Sequence, residues 1–334
     1  MKTRKISIMI FLLCLSLIPL YTDAYAVKKI NKKDNTNLPP LTSELQKAIM
    51  DTTPIEPAGS DIKLIHPAAR LSTARLPQGY AYDGTSFYYL SQLSTGSDNL
   101  RLTKITWQKD GTYQSSFMTL KHFGHGTNLD CVRIKGKTWL WTGCDSKGGN
   151  STAITRFTFK SGRVLNKHGS CRYRIPTSKK GRKYASNVYP AIDPEGKRLA
   201  IRYTSGDKQY FIYYNLINGQ KIKPRKIIKK VSCPKTSGPF QGFDIEGARI
   251  YTIEGTASQS EMKELSKKYY PTVIRSYDYE SKKIWIKTVM GASILSHREA
   301  EGIQVQPDGS IFFNLASHFK TLYTCMNIYQ LNMD

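Results

Sequence analysis

Acidic residues are scarce in this sequence, and so are recognisable catalytic motifs. The chain has 25 Asp and Glu against 50 Lys and Arg, for a formal net charge of +25 at pH 7. A protein this basic is expected to be attracted to polyanions. GxSxG, HExxH and a phosphate-binding glycine loop are all missing, which excludes the enzyme classes that these motifs define. No long apolar run follows the first 26 residues, so no later membrane span is expected.

Cysteine is also scarce, and its spacing argues against a structural zinc site. The chain has six cysteines and no CxxC pair. Five lie beyond the N-terminal segment, so they cannot all pair within the chain; they are Cys131, Cys144, Cys171, Cys233 and Cys325. Cys131 and Cys144 fall in neighbouring predicted strands, where a bridge is conceivable in an exported protein. The pairing is otherwise left open.

The first 26 residues are predicted to be a secretory signal peptide. Lys2, Arg4 and Lys5 give a positive start, residues 6–20 are apolar, and 24–26 form a small-x-small cleavage site. Residues 27–60 are basic, polar and interrupted by prolines, which indicates a partly disordered segment. We therefore expect a secreted protein, extracellular or associated with a cell surface, with its folded domain over 61–334. No transmembrane segment is expected after cleavage.

What the sequence does contain is one pattern repeated five times. Each copy has an apolar run, a turn ending in glycine, and a second run rich in aromatic and β-branched residues. The turn glycines are Gly84, Gly136, Gly196, Gly247 and Gly309. A third strand follows in every copy and a fourth in the first four. Strands and hairpins repeating at about this interval predict an all-β fold, a five-bladed β-propeller.

The fifth copy ends just after its third strand, at Asp334. A blade without its outer strand would expose an edge. Residues 61–65, DIKLI, read as a strand just before the first copy. We predict that this N-terminal strand completes the fifth blade and closes the ring. An insertion in the fourth copy predicts a short helix that begins with a capping box of Ser258 and Glu261.

Polar residues are concentrated where the chain enters the inner strand of each blade, which is where propeller ligands commonly bind. The ligand-binding candidates at this channel mouth are His125, Asn128, Asp130, Gln241, Asp244, His297, Glu299 and Glu301. Three interpretations remain open. Glu299 and Glu301 could divide acid and base roles in glycoside cleavage. Imidazole and carboxylates could hold a cation. Alternatively, these groups hydrogen-bond across the channel and tie the blades together. No cofactor is expected beyond a divalent cation in the channel, and no catalytic residue is assigned.

Basic residues form two runs on either side of the third copy. These anion-binding candidates are Lys179, Lys180, Arg182, Lys183, Lys221, Lys223, Arg225, Lys226, Lys229 and Lys230. The predicted partner is a polyanion or glycan of the bacterial cell envelope. Export argues against nucleic acid as a partner. Nothing in the sequence calls for an oligomer, so a monomer is expected.

Several phrases resemble the helveticin J family of class III bacteriocins, over about residues 70 to 331. They are GHGTNLD at 124–130, TWLWTG at 138–143, QGFDIEG at 241–247 and REAEGIQV at 298–305. The resemblance implies a secreted antibacterial protein that binds anionic components of the envelope of related bacteria, and it supplies no catalytic residue. Two alternatives stay open: a non-toxic surface adhesin or lectin-like propeller, and an envelope glycan hydrolase acting at the channel mouth.

Overall fold

The structure is a computed structural model. It describes residues 62–70, 75–109, 112–166, 168–169, 171–176, 184–205, 208–217, 221–233, 236, 238–289, 297–319 and 323–332. The predicted signal peptide and the basic segment at 27–60 lie outside these residues. Among the described residues, no helix has the length and apolarity needed to cross a bilayer.

Five antiparallel sheets form the blades of a propeller, as predicted. From hub to rim, blade one is β2 (Pro77–Tyr82), β3 (Phe87–Gln92), β4 (Leu100–Trp107) and β5 (Tyr113–Lys121). Blade two is β6 (Leu129–Ile134), β7 (Lys137–Cys144), β8 (Ala153–Phe157) and β10 (Cys171–Tyr173). Blade three is β11 (Ser186–Ile192), β12 (Arg198–Ser205), β13 (Lys208–Ile217) and β14 (Lys221–Cys233). Blade four is β15 (Phe240–Glu246), β16 (Arg249–Glu254), β17 (Val273–Asp278) and β18 (Ile284–Thr288). Blade five is β19 (Glu299–Val305), β20 (Ile311–Phe319), β21 (Tyr323–Leu331) and β1 (Ile62–Arg70).

The N-terminal strand closes the ring, which confirms the prediction made from the short fifth copy. Strand β1 pairs with β21 in antiparallel register, with Ile62 opposite Leu331 and Arg70 opposite Cys325. Ile62 is buried in a cluster that also contains Tyr329 and Leu331. The first described strand of the chain therefore covers an edge that its last strand would otherwise expose.

Apolar side chains pack between neighbouring blades. One cluster joins Ile253 and Ile274 of blade four to Phe313 of blade five, and another joins Trp141 of blade two to Ile201 of blade three. The inner strands also contact their neighbours in a closed circuit, from β2 through β6, β11, β15 and β19 back to β2. The core is therefore shared between sheets, so each blade depends on the next for burial of its faces.

The connection out of blade two differs from the simple four-strand repeat. After β8, the chain crosses to blade one, where β9 (Val164–Asn166) pairs in parallel with β5, and Val164 lies opposite Thr119. It then returns to blade two as β10, with Cys171 opposite Arg156. The excursion covers the outer edge of blade one and fastens the first two blades together.

Cys131 and Cys144 do not form the disulfide that the sequence analysis considered conceivable. Cys131, Cys144, Cys171 and Cys325 are free thiols. The strand register explains this, since Cys131 lies opposite Leu140 and Cys144 lies opposite Ala153. The side chain of Cys233 lies outside the described residues.

Candidate functional site

The five inner strands converge so closely at the hub that glycine is required there. A Cβ atom on Gly79 would lie 2.7 Å from the carbonyl oxygen of Gly126. A Cβ atom on Gly302, whose φ is +114°, would lie 2.9 Å from the Tyr80 ring. Backbone and small residues therefore fill the hub at this level, and larger polar side chains collect at the end where the inner strands begin. We call this end the mouth.

Asn128 connects three blades. From the start of blade two, its Nδ2 donates to the Pro190 carbonyl of blade three at 2.7 Å. Its Oδ1 accepts from the Phe243 backbone N–H of blade four at 3.0 Å. The side chain is 3% exposed, so both bonds are made away from water.

Three further side chains fasten one blade to the next. Asp130 Oδ2 accepts from the Ile192 N–H, Asp244 Oδ2 from the Val305 N–H, and Gln304 Oε1 from the Tyr82 N–H. All three side chains are buried. Asn128, Asp130 and Asp244 are thus hub ties, because they are buried and bond to the backbone of other blades. This agrees with the alternative that these groups join the blades, and ligand binding by them stays a prediction.

Asp130 and Asp244 form a coupled pair of buried carboxyls. Burial raises the pKa of Asp130 to about 7, against backbone hydrogen bonds that lower it. Burial, and then the charge of Asp130, raise the pKa of Asp244 well above its ordinary value. Both raised pKa values favour the protonated form of these buried carboxyls. The hub therefore holds a proton at pH values where exposed carboxyls have lost theirs.

Asp244→Asn is expected to flatten the pH dependence of stability. The folded pair retains a proton that the unfolded chain releases above about pH 4. The pair's stabilisation is therefore complete at low pH and is lost as pH rises through the folded pKa values, by up to about 1.4 kcal/mol per pH unit. An amide at position 244 holds no titrating proton, so the decline between pH 5 and 8 should shrink. Urea unfolding at each pH measures the slope.

Asp308→Asn is the control for this experiment. Asp308 is exposed, and hydrogen bonds from Ser310 lower its pKa. The stability that the Asp308 carboxylate contributes is present above its pKa in the unfolded chain. It is lost only as pH falls through the lowered pKa of Asp308 in the folded protein. This substitution should leave the slope between pH 5 and 8 unchanged. If Asp244→Asn also left it unchanged, the retention of a proton by the buried pair would be disproved.

His297 lies between two carboxylates at the mouth. Its Nδ1 is 2.7 Å from Glu261 Oε2, and its Nε2 is 2.9 Å from Glu299 Oε2. Burial alone would lower the pKa of His297, but Glu299 and Glu261 outweigh it and raise this pKa. With a carboxylate on each nitrogen, the ring is held as an imidazolium that donates on both sides.

Glu261 comes from the helix inserted in blade four, α1 (Gln259–Glu264), which confirms the predicted helix but not its capping box. Ser258 stands at the N-cap without a side-chain capping bond. Its backbone N–H instead donates to the His297 carbonyl at 2.5 Å. The carboxylate of Glu261 turns away from the helix terminus to His297 because the imidazolium offers a charge-assisted bond. The insertion therefore supports the mouth.

Gln241 and Gln78 extend this polar cluster around the ring. Gln241 Nε2 donates to Glu299 Oε1 at 3.0 Å, and Gln78 Nε2 lies 3.5 Å from Glu301 Oε1. Burial lowers the pKa of His125, against the opposing charge of Glu299. The mouth thus brings together residues from the predicted set and Gln78, which enters the first blade; the predicted residues are His125, Gln241, His297, Glu299 and Glu301.

Glu301 is the most deeply buried acid at the mouth. Burial, aided by the charge of Glu299, raises the pKa of Glu301 well above its ordinary value, which favours the neutral acid. Among the described residues, its Oε2 has no hydrogen-bond partner.

No group of three or more His, Cys, Asp or Glu within the described ranges is placed to hold a metal ion. The mouth offers hydrogen-bond donors and acceptors in a mostly buried setting.

Only some of the predicted anion-binding residues are described by the structure. Lys179, Lys180, Arg182 and Lys183 lie outside the described residues. The backbones of Lys221, Lys223, Arg225 and Lys226 lie in β14, but their side chains are not described. Lys229 and Lys230 are exposed on the same strand, at the rim of blade three.

Tyrosine rings lie beside Lys229 and Lys230. The sequence analysis did not predict these contacts. Lys230 Nζ lies 4.5 Å from the centroid of Tyr210, whose ring stacks on Tyr203 at 5.2 Å. Lys229 Nζ lies 5.7 Å from the centroid of Tyr279. Tyr203 and Tyr210 face each other across the β12–β13 hairpin, so pairing the strands in sequence would have revealed this stack. We call Lys229, Lys230 and these three tyrosines the blade-three rim.

Comparisons with known proteins agree with the fold. The model of a family described as "Phage 5-bladed beta propeller receptor binding platform domain" matches residues 78–328. The chain is 24% identical over 272 residues to the Bacillus subtilis (strain 168) protein named "Putative major teichoic acid biosynthesis protein C", covering 79% of this chain and 57% of that protein. Among solved structures, the tail fiber of Staphylococcus aureus phage P68 is similar, with a TM-score of 0.58, 15% identity, and coverage of 86% of this chain and 55% of that one. The chain therefore spans little more than half of either protein.

Proposed function

This chain belongs to the family of phage five-bladed β-propeller receptor-binding platform domains, and from that premise we propose that it binds the surface of a bacterial cell. The observation that carries the proposal is the family match over 78–328, which covers strands of all five blades and leaves out the closing strand β1. It favours the adhesin-like alternative of the sequence analysis, with an extracellular or surface-associated protein attaching to an envelope component.

We further propose that the receptor is an anionic polymer of the envelope. The net charge of +25 supports a polyanion. A relative whose name refers to teichoic acid biosynthesis supports a teichoic acid. On the blade-three rim, Lys229 and Lys230 present exposed ammonium groups above tyrosine rings, which hold the side chains in place. Because each exposed contact is weak, binding must come from many contacts along one polymer.

The charge-reversing pair Lys229→Glu and Lys230→Glu is expected to weaken adhesion to purified cell walls. Losing two attractive contacts and gaining two repulsive ones should lower affinity by about tenfold, or about 1.4 kcal/mol. Co-sedimentation with walls at low ionic strength measures the change. Binding of the unmodified protein should fall steeply as salt is added, because exposed charges are screened.

The matched control reverses two exposed lysines of blade one, Lys109→Glu and Lys121→Glu, which changes net charge by the same amount. It should bind walls far better than the blade-three pair. Equal losses in both variants would assign the effect to overall charge and reject a localised rim site. Binding that ignores salt would reject a polyanion receptor altogether.

A second proposal, that binding leads to killing of related bacteria, rests on the resemblance to the helveticin J family. The phrases carrying it, at 124–130, 241–247 and 298–305, include the hub and mouth residues Asn128, Gln241 and Glu299. Clearing on lawns of related strains would support this reading, whereas wall binding without clearing on any strain would leave the adhesin. The hydrolase alternative has the weakest support, because Glu301 is buried and Glu299 is held by His297 and Gln241.

A further inference from the structure

A cavity of about 600 Å³ opens at the end of the ring opposite the mouth. It is surrounded by the turns that follow the inner strands of blades three, four and five. Its volume lies within the range of small-molecule binding sites. No candidate residue from the sequence analysis lines it, so it is a separate feature from the mouth and from the blade-three rim.

Gln306 contributes an unsatisfied polar group to the cavity wall. Its side chain is only 8% exposed, and its Nε2 has no hydrogen-bond partner among the described residues. Its backbone is already used within the β19–β20 turn, where its N–H donates to Ser310 O and its carbonyl accepts from Gly309 N. Buried amides are rarely left unpaired, so one beside a cavity indicates a missing partner. Rotation of the amide by 180° exchanges its oxygen and nitrogen, so either can face a ligand.

Asp193 lines the same cavity and is held rigidly. Its Oδ1 accepts from the backbone N–H groups of Lys197 at 2.7 Å and Arg198 at 2.9 Å, and the residue is 7% exposed. Glu246 adds a second carboxylate, with its Oε2 2.9 Å from the Tyr251 hydroxyl. Hydrogen bonds within the protein therefore hold the carboxylates of Asp193 and Glu246 in position without a ligand.

The other residues that line the cavity determine which class of ligand fits it. Lys197 and Arg198 bring positive charge, while Lys197 is also paired with Glu195 at 2.5 Å. The acids Asp193, Glu195 and Glu246 outnumber these two bases, so the cavity gives a polyanion no net attraction. The cavity wall instead contains both hydrogen-bond donors and hydrogen-bond acceptors, together with two prolines. A hydroxyl both donates and accepts, so an uncharged polyol satisfies such a surface, and its C–H faces can pack on proline rings.

We propose that this cavity binds a neutral saccharide unit, with Gln306 and Asp193 as its principal hydrogen-bonding groups. The proposal goes beyond the polyanion-binding function and does not depend on it, because it uses a different end of the ring and an uncharged ligand. A cell-surface glycan carries such units whether or not its backbone is anionic.

Saturation-transfer difference NMR on the full chain tests the site. The probes are the methyl glycosides of glucose, galactose and N-acetylglucosamine, with glycerol 1-phosphate as the anionic comparison. We expect transfer to at least one glycoside, saturating in the millimolar range, and a loss of at least about fivefold in Gln306→Leu. Gln306→Leu should also melt no lower than the unmodified protein, because it removes an unpaired buried amide.

Gln330→Leu is the matched control, since Gln330 lies on β21 and hydrogen-bonds to Asn332 outside the cavity. It should retain the saturation-transfer signal. Arg198→Ala is a second cavity variant in case Gln306→Leu does not fold, and it should weaken the signal as well. No signal with any glycoside, an undiminished signal in a folded cavity variant, or a signal with glycerol 1-phosphate alone would overturn the proposal.

Discussion

A chain shortened to begin at residue 71 is expected to lose the folded ring, whereas one that begins at residue 61 is expected to keep it. The shorter chain lacks β1, which pairs with β21 from Ile62 opposite Leu331 to Arg70 opposite Cys325. It also uncovers Tyr329 and Leu331, which pack with Ile62. Exposing an apolar edge strand promotes association between chains. We expect the melting temperature to fall by at least about 10 °C, or the protein to precipitate.

Thermal unfolding by circular dichroism and size-exclusion chromatography measure both effects. The chain beginning at residue 61 is the control, because it removes the N-terminal segment and keeps the closing strand. A synthetic peptide of residues 61–70 should restore part of the lost stability by adding the strand in trans. If the shorter chain stayed monomeric with an unchanged melting temperature, β1 would not be what closes the ring.

The ring could be predicted because its signals are local and repeated. Turn glycines such as Gly84 and Gly309 have positive φ values of 87° and 83°, a conformation that glycine adopts without strain and that marks the hairpin in the sequence. The fifth copy has no fourth strand before the sequence ends at Asp334, which marks the fifth blade as incomplete. The excursion of β9 to blade one could not be predicted in this way, because the three-residue strand pairs across blades and leaves no periodic pattern.

The site was harder to predict, because polarity in the sequence does not distinguish a ligand-binding group from a structural one. Asn128, Asp130 and Asp244 have the residue types of a binding site, yet they bond to the backbone of other blades. Their partners lie about 60 to 115 residues away in the chain, so no local motif records them. Gln306 was missed for the converse reason, since a glutamine in a turn looks like ordinary surface until its burial is known.

Asn128→Ala is expected to destabilise the protein by about 2–5 kcal/mol, as for the loss of a buried hydrogen-bond network. The substitution leaves the Pro190 carbonyl and the Phe243 N–H without the bonds that now join blades two, three and four. Both groups are close to the hub, where the chain has little room to readjust. The midpoint of urea unfolding and the wall-binding affinity should be measured on the same preparation.

Asn150→Ala is the control, since Asn150 is exposed and bonds only locally to Gly148 at 3.3 Å. It should change stability by no more than about 0.5 kcal/mol. The two readings of Asn128 make opposite predictions for its variant. A hub tie lowers stability while the protein that remains folded still binds walls, because the blade-three rim is untouched. If Asn128 instead contacts a ligand, its variant would lose wall binding while its stability stays unchanged. That result would place Asn128 in the binding site and would contradict its role in joining the blades.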